Sequence, residues 1–174
     1  INEVELTVFE LPQIETEFET LYCLNFFPET ITLNGGVMND IPNNFFYNWS
    51  TGETTMQIQV NEPGTYTVRV TNTNGCFKDR TITVLASNIA TIDNFEITDL
   101  TQNNIISVMV SGEGDYEFAL DNANGPFQDS NTFNNLQPGI YTIFVRDKNN
   151  CGVVDEMVSV IGFPKYFTPN DDGF

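Results

Sequence analysis

Pro63-Gly64-Thr65-Tyr66-Thr67-Val68-Arg69-Val70-Thr71-Asn72-Thr73-Asn74-Gly75-Cys76 carries two signals at once. From Thr65 to Thr71 the side chains alternate with period two, the pattern of a strand with one buried face: Tyr66, Val68 and Val70 fall on one side, Thr67, Arg69 and Thr71 on the other. The stretch then returns 75 residues later without a gap, as Pro138-Gly139-Ile140-Tyr141 through Asn149-Asn150-Cys151, with Thr67 matching Thr142, Val70 matching Val145 and Asn74 matching Asn149. A fixed internal offset means one supersecondary unit used twice. The Pro-Gly-x-Tyr lead-in predicts a tyrosine corner at Tyr66 and Tyr141, where the ring anchors the start of a strand and its hydroxyl bonds to backbone upstream.

Working outward, every periodic segment is short and rich in Thr, Val, Ile, Phe and Tyr, and none makes an amphipathic helix. Strands are expected near Leu21–Leu24, Ile31–Leu33, Phe45–Trp49, Met56–Val60, Thr65–Thr71 and Thr81–Leu85. A second set is expected near Phe95–Asp99, Ile105–Val110, Tyr116–Leu120, Asn131–Phe133, Ile140–Arg146 and Glu156–Ile161. Six or seven short strands per repeat predict an all-β chain of tandem immunoglobulin-like β-sandwich modules. The domains read as residues 1–12, the last strand of a preceding module; 13–86, a first module; 87–162, a second; and 163–174, the start of a further unit. The chain opens on what reads as mid-strand, Val4 to Phe9, and is expected to be a piece of something longer. Tyr47-x-Trp49 matches Tyr116-x-Phe118 at an offset of 69, which assigns six extra residues, Asp121 to Pro126, to a flexible polar loop in the second module.

Composition narrows the function. A formal net charge of −18, from 24 acidic and 6 basic residues, repels nucleic acid and anionic lipid, both of which need clustered Lys and Arg. No apolar run of about 18 residues is present to span a membrane. The acidity suits the solubility of an exposed surface protein, or else Ca²⁺ binding by carboxylate-bearing turns. Glu113, Asp115 and Glu117, joined by Asp121, are the candidate ligands; a solvated acidic face is the competing reading.

The chain has no histidine, which removes serine and cysteine triads and the commonest zinc ligand. Hydrolysis would need paired carboxylates in a cleft, yet Asp155 and Glu156 are neighbours on a strand and point to opposite faces. No catalytic residue, cofactor site or metal centre is assigned. Of the three cysteines, Cys23 and Cys76 make the simplest disulfide, closing a loop of about fifty residues and contributing roughly 2–4 kcal/mol. Cys151 is then left as the vestige of a lost bridge, the partner of a cysteine elsewhere, or a nucleophile with only Lys148 nearby. Among aromatic residues, Phe45, Tyr47 and Trp49 read as core, with Phe46 and Phe144 facing outward as candidates for a partner or glycan surface. Asn48-Trp49-Ser50 fits a glycosylation sequon.

The last nine residues, Tyr166-Phe167-Thr168-Pro169-Asn170-Asp171-Asp172-Gly173-Phe174, resemble the opening of the gliding-motility-associated C-terminal domain, the type B sorting domain of type IX secretion cargo in Bacteroidota. Residues 88–162 resemble the repeat of SprB-type gliding adhesins. The carrying motifs are Gly112–Gly114, Tyr116-Glu117-Phe118, Phe133 to Leu136, Pro138 to Val145 and Asp147 to Cys151, with the family's Asn-Gly-Cys turn replaced by Asn149-Asn150-Cys151. Residues 13–86 resemble the related Ig-like or PKD-like modules through Tyr47-Asn48-Trp49-Ser50-Thr51-Gly52.

This resemblance implies the non-catalytic stalk and C-terminal region of a large cell-surface adhesin, exported across the outer membrane and used in gliding motility. Its implied partners are the type IX translocon with its attachment and gliding machinery, and an extracellular surface or glycan met by distal regions. Phe167, Pro169, Asn170, Asp171 and Gly173 are the implied sorting-segment residues. The runner-up is the spacer and sorting region of a secreted type IX enzyme, a polysaccharide hydrolase or protease; a third reading makes the modules glycan-binding units themselves.

Overall fold

The computed structural model describes residues 7–38 and 44–162, and the chain divides into two compact units at Ser87/Asn88. Apart from one 3₁₀ turn at Leu24–Phe26, regular structure in the described residues is entirely β. None of the helical structure is long and apolar enough to cross a membrane.

In unit 1 the strands are β1 (Glu17–Cys23), β2 (Ile31–Asn34), β3 (Phe45–Trp49), β4 (Gln57–Val60), β5 (Gly64–Asn72) and β6 (Phe77–Ser87). They form a four-stranded sheet ordered β1-β6-β5-β3 and a two-stranded sheet β2-β4. Inward residues of both sheets, among them Leu33, Trp49, Ile58, Val68, Val70, Ile82 and Val84, make a single apolar core. The predicted alternation along β5 holds: Val68 and Val70 are buried, Tyr66 is half-buried, and Thr67 and Arg69 are exposed. Strand β1 runs parallel to β6 over seven registered pairs, Glu17↔Thr81 to Cys23↔Ser87.

Unit 2 contains β7 (Thr91–Thr98), β8 (Asn104–Ser111), β9 (Tyr116–Leu120), β10 (Thr132–Leu136), β11 (Gly139–Asp147) and β12 (Val153–Val160). Its sheets are β10-β8-β7 and β12-β11-β9, packed around Ile106, Val108, Phe118, Phe133, Ile143, Val145 and Val160. The outermost strand β12 turns Glu156 to the same side as Ile143, yet the residue stays exposed at the rim. An inward-directed charge on an edge strand discourages pairing with another chain.

Both tyrosine corners are present. Tyr66 donates its hydroxyl to the Glu62 carbonyl at 2.8 Å and Tyr141 to the Gln137 carbonyl at 2.7 Å, each four residues upstream. Replacing either by phenylalanine keeps the packing and removes only the bond, so Tyr66→Phe and Tyr141→Phe should each cost their unit about 1 kcal/mol, measured by chemical denaturation.

The hairpin turn after each corner strand also keeps the same side-chain cap on its cysteine amide. Asn72 Oδ1 accepts from the amides of Asn74 (3.1 Å) and Cys76 (3.0 Å), while Asp147, its equivalent, accepts from Cys151 N at 3.1 Å. Gly75 takes a left-handed φ of 81° and Asn150 replaces it at 66°. Asparagine is the non-glycine residue best suited to that region, so the altered Asn-Asn-Cys sequence keeps the turn.

The register of the third strand departs from the sequence match. Trp49 pairs with Val68, whose repeat equivalent Ile143 pairs with Leu120, not Phe118. The structural offset between β3 and β9 is therefore 71, which leaves four extra residues in the second unit instead of six. Two registers that differ by two residues present the same faces, so an aromatic-x-aromatic pattern cannot tell them apart. The loop that follows is not loose either. Asn122 receives Asn124 N on its side chain and Gly125 N on its carbonyl, and Asp121 and Thr142 exchange two bonds, with Asp121 N donating to Thr142 O and Thr142 N to Asp121 Oδ1.

Candidate functional site

The cysteines depart from the predicted pairing. Cys76 is a free, half-buried thiol, whereas Cys23 and Cys151 are disulfide-bonded. The predicted Cys23–Cys76 bridge is therefore not formed, and Cys151 is neither a vestige nor a nucleophile. Sequence separation favours a bridge within one repeat, but pairing is decided by which Cβ atoms are brought within reach, and that is a tertiary property. Thiol labelling of the non-reduced native chain should modify Cys76 alone. Peptide mapping should recover Cys23 and Cys151 in oxidised form, and Cys76→Ser should leave the melting temperature within about 1 °C.

Three of the four candidate calcium ligands are committed elsewhere, and the fourth, Glu113, is exposed. Asp115 pairs with Lys148 at 3.0 Å, Glu117 pairs with Arg146 at 2.6 Å, and Asp121 caps Thr142 N at 2.7 Å. Lys148 also meets Asp129 at 2.8 Å, and its two carboxylates hold the ammonium pKa well above the ordinary lysine value. Among the described residues no three acidic or sulfur ligands converge on a metal position. Asp155 and Glu156 register with Phe144 and Ile143, on opposite faces of the sheet as predicted.

What distinguishes the two units is the outward face of the corner-strand sheet. In unit 1 that face is a grid of registered rows: Phe46–Thr71–Phe77, then Asn48–Arg69–Asp79, then Thr67–Thr81–Glu17, then Thr65–Thr83–Glu19. Arg69 lies at its centre, donating from Nε and Nη2 to the two Asp79 oxygens at 2.8 and 3.0 Å and stacking 4.0 Å from the Phe77 ring centroid. The hydrogen bond from Arg69 holds the Asp79 carboxyl below its ordinary value. A depressed carboxylate stabilises the fold at neutral pH and loses that contribution as pH falls through its folded-state range; half exposed, this pair contributes little.

In unit 2 the equivalent face is covered only at its β9 end, while Ile140, Met157 and Val153 stay exposed on the β11 and β12 side. Gln128 pairs with Phe118 through two backbone bonds and extends the sheet, and the Phe127 ring sits 3.8 Å from the Arg146 guanidinium. Ala119 belongs to the outward row with Phe144 and Asp155, yet it is 1% exposed beneath this cover. Of the two outward aromatics named from sequence, Phe46 is 62% exposed and Phe144 only half-buried. Phe45 is half-buried at the core margin, while Tyr47 and Trp49 lie within it. Sequence reasoning placed Arg69 on the outward side of its strand but missed Phe77, although the alternation Phe77, Asp79, Thr81, Thr83 would have placed it.

The predicted sorting-segment residues Phe167, Pro169, Asn170, Asp171 and Gly173 lie outside the described residues. No family model matches the chain, and no curated protein matches it. Among solved structures, murine CEACAM1b is similar with 10% identity and a TM-score of 0.50, over 83% of this chain and 96% of that one. A three-immunoglobulin-domain variant of titin is similar with 11% identity and a TM-score of 0.54, over 87% of this chain and 64% of that one. Immunoglobulin domains 1–4 of Sidekick-1 are similar with 11% identity and a TM-score of 0.53, over 88% of this chain and 48% of that one. The fold defines a class: this is a tandem immunoglobulin-like β-sandwich protein. At such identities the likeness carries fold alone.

Proposed function

We propose that the chain is part of the non-catalytic stalk and C-terminal region of a large cell-surface adhesin, exported by the type IX secretion system and used in gliding motility and surface adhesion. The observation that carries the stalk reading is the parallel pairing of β1 with β6. These are the first and last strands of unit 1, so tension that draws the ends of the unit apart acts along the strands and strains all seven registered pairs together. Strand pairs loaded in this way must fail together, which suits a module that transmits force. The disulfide-bonded Cys23 and Cys151 fit an oxidising, extracytoplasmic compartment, and the sorting-domain resemblance at Tyr166–Phe174 supplies the route of export.

The test is a reporter fused to this chain, extended through the sorting domain that the resemblance implies, and expressed in a gliding bacterium with and without a functional type IX translocon. Surface fluorescence that depends on the translocon is expected. Retention inside the cell in both backgrounds would reject the export reading.

A further inference from the structure

We infer that the open outward face of unit 1 binds a neutral, hydroxyl-rich glycan, seated between Phe46 and Phe77 and across the Arg69–Asp79 pair. This goes beyond the stalk reading and is independent of it, since the purified chain suffices to test it.

Three features select that ligand. Phe46 and Phe77 occupy one registered row with Thr71 between them, so they stand two strand spacings apart, about 10 Å, near the length of one disaccharide step in an extended chain. They are 62% and 47% exposed, far more than aromatic residues placed only for packing. Between and beside them the face offers what vicinal sugar hydroxyls pair with: the Asn48 amide, the bidentate Arg69–Asp79 pair, and the hydroxyls of Thr67, Thr71 and Thr81.

Charge and composition exclude the competing occupants. A protein partner of standard size needs about 800 Å² per side around a desolvated apolar centre, and here the exposed apolar residues, Phe46 and Phe77 at one end and Leu21 and Leu85 at the other, are separated by an ion pair among threonines. An anionic polysaccharide meets a chain of net charge −18, with Glu17 and Glu19 at the border of the face. The internal comparison points the same way. Beside the third strand of its sheet unit 2 lays Phe127 against Arg146, whereas in unit 1 β3 runs straight into the tight turn where Gly52 N donates to Trp49 O and leaves Asn48 and Arg69 open.

The experiment is a titration of the isotope-labelled chain with linear hexasaccharides of glucose, mannose and galactose, followed by backbone amide resonances, with a sulfated glucose hexasaccharide as the anionic comparison. At least one neutral sugar is expected to give saturable shifts at Asn48, Thr67, Arg69, Thr71 and Phe77, with unit 2 silent. Phe46→Ala, at an exposed position that leaves the fold intact, should weaken binding about tenfold. Phe77→Ala should do the same, and an unchanged melting temperature for each variant keeps a loss of binding distinct from a loss of fold. The inference is overturned by no saturable shift with any neutral sugar up to about 10 mM, by shifts undiminished in Phe46→Ala, by shifts centred on unit 2, or by tighter binding of the sulfated sugar.

Discussion

Trp49→Ala is expected to destabilise unit 1 by about 3–5 kcal/mol, a large part of the stability of a module of this size. Trp49 is 3% exposed, sits opposite Val68 in the β3–β5 ladder, and donates Nε1–H to the Thr55 carbonyl at 2.8 Å. Alanine leaves both a cavity bordered by the two sheets and a carbonyl without its indole partner, and neither defect can relax without moving a strand. The melting temperature of the unit should fall on the order of 15 °C, followed by circular dichroism. Trp49→Phe, which keeps most of the volume and loses the bond, should fall between. Because this is the chain's single tryptophan, its fluorescence in the native protein reports unit 1 alone. An emission maximum already at the solvated position, or a loss under 1 kcal/mol on truncation, would contradict the assigned burial.

The second large effect is expected at Asp147. This carboxylate is fully buried, with Oδ1 accepting from Asp115 N at 3.1 Å and Asn149 Nδ2 at 3.4 Å, and Oδ2 from Cys151 N at 3.1 Å. It ties the turn after β11 to the turn before β9. Gly114 belongs to that arrangement: a Cβ there would stand 2.7 Å from Asp147 Oδ1 and 2.4 Å from the Tyr116 ring, so only glycine admits the approach. Asp147→Ala strands the buried Cys151 amide and frees the Asp115 amide, and should cost unit 2 about 2–4 kcal/mol. The matching Asn72→Ala in unit 1 should cost about 1 kcal/mol, because Asn72 is only half-buried and the amides it caps can turn to water. Hydrogen exchange at Ile143 and Val145 on one side and Val68 and Val70 on the other reads both. Equal losses at the two positions would show that burial does not set the difference.

Tyr66 and Tyr141 illustrate what local chemistry can specify. A Pro-Gly turn, one aromatic ring and a two-residue alternation are enough to place the strand, its inward face and the corner bond, because each acts over four residues or fewer. The turn from Asn72 to Cys76 is legible for the same reason, and so is its survival with Asn150 in the left-handed position. Less of the candidate face could be read. Phe46 was evident from its alternation with Tyr47, but its partnership with Phe77 depends on β3 and β6 both flanking β5. The supposed calcium cluster failed in the other direction: Asp115, Glu117 and Asp121 are close in sequence, but Lys148, Arg146 and Thr142, brought alongside from β11 and its turn, claim them separately.

The amino-acid sequence by itself determined an all-β chain built on one unit used twice, with the corner tyrosines, the strand faces and the hairpin turns in place, since these follow from periodicities and turn chemistry that need no distant partner. Tertiary structure alone decided that β9 pairs two residues away from the aromatic match, that Cys23 and Cys151 are oxidised while Cys76 is free, and that Phe127 covers the end of one outward face where the other stays open. Those outcomes depend on which strands lie side by side, and a strand's alternation is equally satisfied by every register that differs by two.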